Sequence, residues 1–304
     1  MKKNLIYILA LLSLLIGACD KPSPVELTTG EQQPEDPIEL TILNQNPSAE
    51  MNSTEPDSGL VFIPPPDLRF GAHIVVVKSK IKDGDSVKKA NLAQGIFYDL
   101  SSPVKDESGK IVSFKTLPVQ FIRFKNITAR EVQHIARFRR NSQIVDTLLG
   151  PKFILVRRPG QLGDPFDYEP GTVIPIDIKK HFSPAERFNV TAPPDITGEV
   201  EVITRNNGAK AFSLKWDKLN HNSIDIVLSG ISLSSSRVVP LFRIRTTDDG
   251  ALVIPANIMR SIPVSYFSKL VVTFIRQTES LADFSPGRIY FQIQSLDNKV
   301  ISLN

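Results

Sequence analysis

Segment after segment in the second half of this 304-residue chain places apolar side chains at every second position, the period of a strand with one buried face. Phe212, Leu214 and Trp216 share one side while Ser213 and Lys215 take the other. Ile224, Ile226 and Leu228 repeat the pattern against Asp225 and Val227, and Phe242 and Ile244 alternate with Arg243 and Arg245. Thr246-Thr247-Asp248-Asp249-Gly250 supplies a turn whose Asp-Gly pair suits positive φ, after which Leu252 and Ile254 resume the alternation. Val200 to Thr204, Lys269 to Arg276, and Arg288 to Gln294 closing against Val300 to Leu303 complete the set. About seven short strands over roughly 110 residues predict a two-layer β-sandwich, with Trp216 facing its core.

Three stretches carry a resemblance. Trp216, Asp225-Ile226-Val227-Leu228-Ser229-Gly230 and Asp248-Asp249-Gly250-Ala251-Leu252-Val253-Ile254-Pro255-Ala256 are similar to the C-terminal Ig-like or fibronectin type III-like domain of many exported bacterial proteins. The resemblance covers residues 196 to 304 and implies a fold; those proteins mostly lack an assigned activity. Pro255-Ala256-Asn257-Ile258-Met259-Arg260 reads as one helical turn between strands, Pro255 standing near its first position.

The first half is less regular. His73 to Lys78, Gly95 to Leu100, Val119 to Lys125, Phe153 to Arg157 and Thr172 to Ile178 read as strands, with a turn at Asp83-Gly84-Asp85. Thr128-Ala129-Arg130-Glu131 has the form of a capping box, and Val132, Ile135 and Phe138 follow at helical spacing, which predicts a short helix. Ser183-Pro184-Ala185-Glu186 repeats the device for a shorter turn. Ala192-Pro193-Pro194-Asp195 disfavours both helix and central strand and marks a boundary. The expected fold is therefore mainly β: a β-rich domain with a short helix over 60-191, and an Ig-like β-sandwich over 192-304.

What precedes these domains sets the compartment. Met1-Lys2-Lys3-Asn4 is a positive n-region, and Leu5 to Ile16 is apolar apart from Ser13. At about 12 residues the run is short of the roughly 20 that a spanning helix requires. Ile16-Gly17-Ala18-Cys19 resembles the lipobox of bacterial lipoproteins. That resemblance implies a signal peptide over 1-18, cleavage between Ala18 and Cys19, and acyl chains, palmitate among them, on Cys19. Each buried methylene contributes about 0.8 kcal/mol, so two or three chains hold firmly. The expected location is the cell envelope, lipid-anchored to a bacterial membrane. Cys19 is the only cysteine, so no disulfide braces the exported part and its stability must come from packing.

Residues 19-59 read as an acidic, flexible tether in which only Ile38 to Leu43 suggests a brief strand. Asp20, Glu26, Glu31, Glu35, Asp36, Glu39, Glu50, Glu55 and Asp57 stand there against Lys21 alone. Beyond the signal and tether, 33 basic and 23 acidic residues remain. Clusters at Arg137-Phe138-Arg139-Arg140, Arg157-Arg158 and Lys179-Lys180-His181 make the body basic. Export disfavours nucleic acid as the partner, leaving the membrane, an envelope protein or an anionic glycan.

No motif in the sequence carries catalysis. His73, His134, His181 and His221 are far apart with no ligand at metal spacing, and no thiol accompanies them in the body, so neither metal nor cofactor is expected. Gly230-Ile231-Ser232-Leu233-Ser234 lacks the closing glycine of a nucleophile elbow. The close acid pairs, Asp83 with Asp85 and Asp248 with Asp249, sit in tight turns that favour Asp for backbone reasons. Asp164-Pro165-Phe166-Asp167-Tyr168-Glu169 is an acidic, aromatic loop, and Tyr98, Tyr168, Tyr266 and Tyr290 are the remaining aromatic contacts a ligand could use. The function expected is a non-enzymatic binding, adhesion or scaffolding lipoprotein; the alternative is an envelope hydrolase acting on glycan from the 60-191 domain, for which a converging acid pair is the requirement.

Overall fold

The computed structural model describes residues 38–43, 70–105, 109, 111–140, 143–156, 166–204, 210–219, 223–234, 237–284 and 287–302. These residues are mainly β and form layered sheets. In chain order the strands are β1 (Glu39–Ile42), β2 (Ala72–Asp83), β3 (Ser86–Lys105), β4 (Ile111–Thr116), β5 (Phe121–Phe124), β6 (Ile127–Thr128), β7 (Arg130–Arg140), β8 (Gln143–Val156) and β9 (Val173–Lys179). They continue as β10 (Ala185–Thr191), β11 (Gly198–Thr204), β12 (Lys210–Trp216), β13 (Ile224–Ser232), β14 (Val238–Thr246), β15 (Ala251–Ile254), β16 (Phe267–Phe284) and β17 (Gly287–Ser302).

Ten strands make one large sheet in the order β1-β14-β13-β16-β17-β2-β3-β8-β7, with β4 paired to β3. Beside β17, the middle strand of that path, lies β2, whose run Ala72-His73-Ile74-Val75-Val76-Val77 is buried throughout, as a strand covered on both faces requires. Its partner β17 lies parallel to it, Ile289 beside Ala72 and Ile293 beside Val76. Every other pairing among the described strands is antiparallel. This parallel pair joins the last described strand to the start of the body, so the large sheet takes strands from both sides of Ala192.

Two small sheets lie against one face of the large one. Strands β10-β9-β5-β6 bring Ile122, Phe124, Ile174, Ile176, Ile178 and Val190 onto Ile74, Val76, Phe291 and Ile293. Strands β11-β12-β15 bring Phe212, Leu214, Trp216, Leu252 and Ile254 onto Ile226, Leu228, Val272 and Phe274. Ala192 belongs to the first core and Ile196 to the second, so the Pro193-Pro194 step is where the chain passes from one to the other. Each core is a sandwich of aliphatic and aromatic side chains in period-two register, the arrangement that alternation in β12, β13 and β14 anticipates.

Close packing fixes some positions tightly. A Cβ at Gly198 would stand 2.3 Å from the ring of Phe274, which is fully buried. We expect Gly198→Ala to lower stability by about 1–3 kcal/mol through overpacking, read as a lower urea midpoint at unchanged slope.

Three readings are corrected. Thr128 to Phe138 is not helical: Ile127–Thr128 and Arg130–Arg140 are strands, the second paired along its length with β8. The side turned inward is His134 and Ala136, while Ile135 is 45% exposed, so helical spacing of the apolar residues misreports which side faces the protein. Ser183 to Glu186 opens no helical turn; Ala185 already begins β10. The closing pair of strands is one strand, Gly287–Ser302, paired with β16 from end to end. Elsewhere, a helical turn does follow Pro255, at Ala256–Arg260 (α1), with Ile258 and Met259 buried. Within the stretch read as tether, Glu39–Ile42 pairs antiparallel with β14, and Ile38 and Leu40 pack on the second core.

Candidate functional site

The charged groups of the body converge at two places, one on each face of the large sheet. On the covered face, between the two cores, lies Arg276 of β16. Its side chain is fully buried, and so is its partner Asp248 in the turn between β14 and β15. Arg276 Nε donates to Asp248 Oδ2 at 3.0 Å and Nη2 to Oδ1 at 2.9 Å, a two-point match of guanidinium to carboxylate. Trp216 Nε1 adds a third donor to Asp248 Oδ1 at 2.9 Å. The guanidinium also reaches the carbonyl of Asp195 at 2.6 Å and the carbonyl of Asp217. One buried cation thus holds the linker, the end of β12 and the β14–β15 turn onto the central sheet.

Asp195 extends the cluster outward. Its carboxylate lies 3.5 Å from both Lys78 Nζ and Lys80 Nζ and accepts from Ser295 Oγ at 3.2 Å. Lys78 Nζ also donates to the Tyr168 carbonyl at 3.2 Å. Asp297, further along β17, accepts from Gly198 N at 2.7 Å and stands 2.9 Å from Lys299 Nζ.

On the opposite face, Asp225 is 2% exposed and receives both Arg243 and Arg245, each through Nε and Nη2 at 2.9–3.1 Å. That carboxylate raises the Arg245 guanidinium further above its ordinary value, chiefly by hydrogen bonding. Beside it, Gln277 Oε1 accepts from Gln292 Nε2 and Gln294 Nε2, each at 3.1 Å. Tyr290 stacks on Phe70 at 5.1 Å, and burial followed by its hydrogen bond to Glu279 pushes its phenol up. This row of arginine, amide and phenol donors and acceptors is suited to hydrogen bonding and to charge pairing. Among the described residues, no three His, Cys, Asp or Glu side chains are grouped to hold a metal ion.

The residues singled out in the sequence are placed as follows. Cys19, its cleavage site, Arg157-Arg158 and His221 lie outside the described residues. His73 and His134 are buried in different parts of the sheet, on β2 and β7, and desolvation lowers each to about 4, with Lys152 adding to the shift at His134. His181 is exposed in the turn after β9. Asp83 takes Lys269 Nζ at 2.8 Å, and Asp85 follows Gly84 (φ 60°) at the tip of the β2–β3 hairpin. Asp248 and Asp249 separate: the first is wholly buried, and the second is exposed with Oδ1 3.4 Å from Ala251 N. Phe166 and Tyr168 plug the first core, Tyr168 OH donating to the Gln294 carbonyl at 2.8 Å, while Asp167 and Glu169 between and beside them face outward. Trp216 faces the core as alternation predicts.

Arg276 and Asp225 escape the sequence reading. Their one signal is a charge inside an apolar run, Arg276 closing Leu270-Val271-Val272-Thr273-Phe274-Ile275 and Asp225 standing between Ile224 and Ile226. The chain matches no protein-family model, no curated protein and no solved structure. No helix among the described residues is long and apolar enough to cross a membrane.

Proposed function

We propose that the chain is an envelope lipoprotein, held to a bacterial membrane by acyl chains on Cys19, whose β body binds or scaffolds an envelope partner without catalysing a reaction. The anchor rests on Ile16-Gly17-Ala18-Cys19 and on the placement of the single cysteine there. What supports a binding role is the use made of the carboxylates. Asp225 is closed by two arginines, Asp248 by Arg276 and Trp216, and Asp177 by Arg187 at 2.6 Å. Carboxylates so placed are committed to cations within the fold, whereas a glycan hydrolase requires two carboxylates converging on one bond. Partners matched to a basic body are an envelope protein or an anionic glycan, besides the membrane itself.

Intact mass and membrane fractionation of the native chain beside Cys19→Ala test this. The native protein is expected to carry the mass of its acyl chains and to pellet with membranes, and the variant to do neither. If both forms are unacylated and soluble, the proposal fails.

A further inference from the structure

The hairpin joining β9 to β10 ends in Lys180-His181-Phe182-Ser183-Pro184, and Phe182 is 105% exposed with φ 63°. Glycines occupy the left-handed positions of other turns, at Gly84, Gly171 and Gly250. A bulky side chain in that region is an outlier, and the backbone there is strained. Lys125 is the other described non-glycine residue of this kind, and its Nζ is engaged with the Asp167 carbonyl at 2.6 Å. The Phe182 ring, by contrast, has His181 at 6.3 Å and is otherwise turned to solvent. The exposed apolar area disfavours the free protein in water and contact with an apolar phase would remove that cost, while the left-handed backbone holds the ring outward at the tip in either state.

The surroundings indicate which phase. Lys179, Lys180 and His181 lead into the tip, and Arg123 stacks on Phe121, which pairs with Lys179. The loop before β5 is bonded at the same place through Gln120 N to the Lys179 carbonyl, and its Leu117 is also exposed. The nearby acids are already paired, Glu186 with Lys180 and Asp177 with Arg187. Lys180 Nζ also lies 3.7 Å over the Phe284 ring, so Lys179 and Arg123 are the cations that flank the tip. An aromatic tip with cations beside it matches an interface with anionic headgroups outside and acyl chains beneath.

We propose that this tip is a second membrane contact: Phe182 seats in the headgroup–acyl boundary of an anionic bilayer while Lys179 and its neighbours meet the headgroups. The idea rests on the reading that the chain is held at a membrane, and it adds that the body lies against that membrane.

The test uses the full chain carrying Phe182→Trp, reconstituted in vesicles of phosphatidylcholine alone or mixed with phosphatidylglycerol. Trp216 is buried in the second core and supplies a constant background, measured on the unsubstituted chain. Emission from the indole introduced at the tip is expected to move to shorter wavelength and to be quenched by brominated acyl chains, more strongly on the anionic vesicles. Lys179→Gln in the same background is expected to weaken that partition about fivefold, the effect of one cation near a charged surface. Tip emission that is unquenched on both vesicle types overturns the proposal, including a blue shift without quenching, which would assign the tip to a protein contact. Acylation is read separately from intact mass, so failure of the anchor and failure of the tip are distinguishable.

Discussion

Replacing Arg276 with Met is expected to destabilise the protein by about 3–5 kcal/mol, a large part of the roughly 5–15 kcal/mol that holds a typical domain together. The reason is the state it leaves behind. Asp248 is fully buried, and without the guanidinium its carboxylate loses two N–H donors while keeping that of Trp216. The carbonyls of Asp195 and Asp217 lose the same partner. Asp248→Asn alone is expected to cost less, about 1.5–3 kcal/mol, because an amide oxygen still accepts from Trp216 and the guanidinium keeps the Asp217 carboxylate at 3.4 Å together with its carbonyl partners. The decisive variant is Arg276→Met with Asp248→Asn. Removing both charges removes the uncompensated ion, so the double variant should be more stable than Arg276→Met by itself. Urea midpoints followed by Trp216 emission give all four corners of the cycle. Losses that simply add would mean that Asp248 and Arg276 do not act as a coupled ion pair.

That cluster also shows where sequence reading stops. Alternation in β12 and β14 is legible because those strands have one core face and one polar face, the condition under which period two reaches the sequence. In β7 the same physics is hidden. The inward positions are His134 and Ala136, and an exposed Ile135 supplies the apolar residue that makes helical spacing. In β17 the polar run Ser295, Asp297, Asn298 and Lys299 interrupts the apolar residues and reads as a loop. Three of these side chains are bonded instead to Asp195, Gly198 and Ser79, partners that no local pattern announces. The parallel pairing of β17 with β2 has the same character, since it joins the two ends of the body through register alone. The paired prolines are legible because proline's missing N–H and fixed φ act locally, and Ala192 and Ile196 on either side of them pack in different cores. Aspartate at the Asp248-Asp249-Gly250 turn is legible for its backbone preference, and Gly250 (φ 99°) is there for that reason. The burial of Asp248 depends on an arginine 28 residues away, which no local signal reveals.

Acid should unfold this protein earlier than its carboxylates would require, and His73 and His134 set the window. Both are nearly inaccessible, 2% and 4% exposed, and burial lowers each to about 4 from an ordinary value near 6.5. His73 lies against the Tyr290 ring at 5.3 Å and beside Gln292; His134 has Lys152 nearby, whose charge also opposes protonation. Well above pH 6.5 the imidazoles are neutral in folded and unfolded chain alike, and pH has no effect through them. As the pH falls below 6.5, the unfolded chain binds protons that the folded chain refuses, so stability declines until the folded-state value near 4 is reached. Each histidine is expected to remove about 3 kcal/mol across that interval, and the pair about twice as much. The lowered carboxylates act in a different range: the stability Asp99 and Asp177 lend is present above their unfolded value and is lost only as the pH falls through their still lower folded ones. Solvent screening at both keeps their share small. Urea midpoints between about pH 7 and pH 4 should therefore fall with a slope set by two protons, and His73→Gln or His134→Gln should each remove about half of it. A flat profile over that range in the unsubstituted chain would mean that both imidazoles accept protons in the folded state, and that the burial which holds them neutral is relieved in solution.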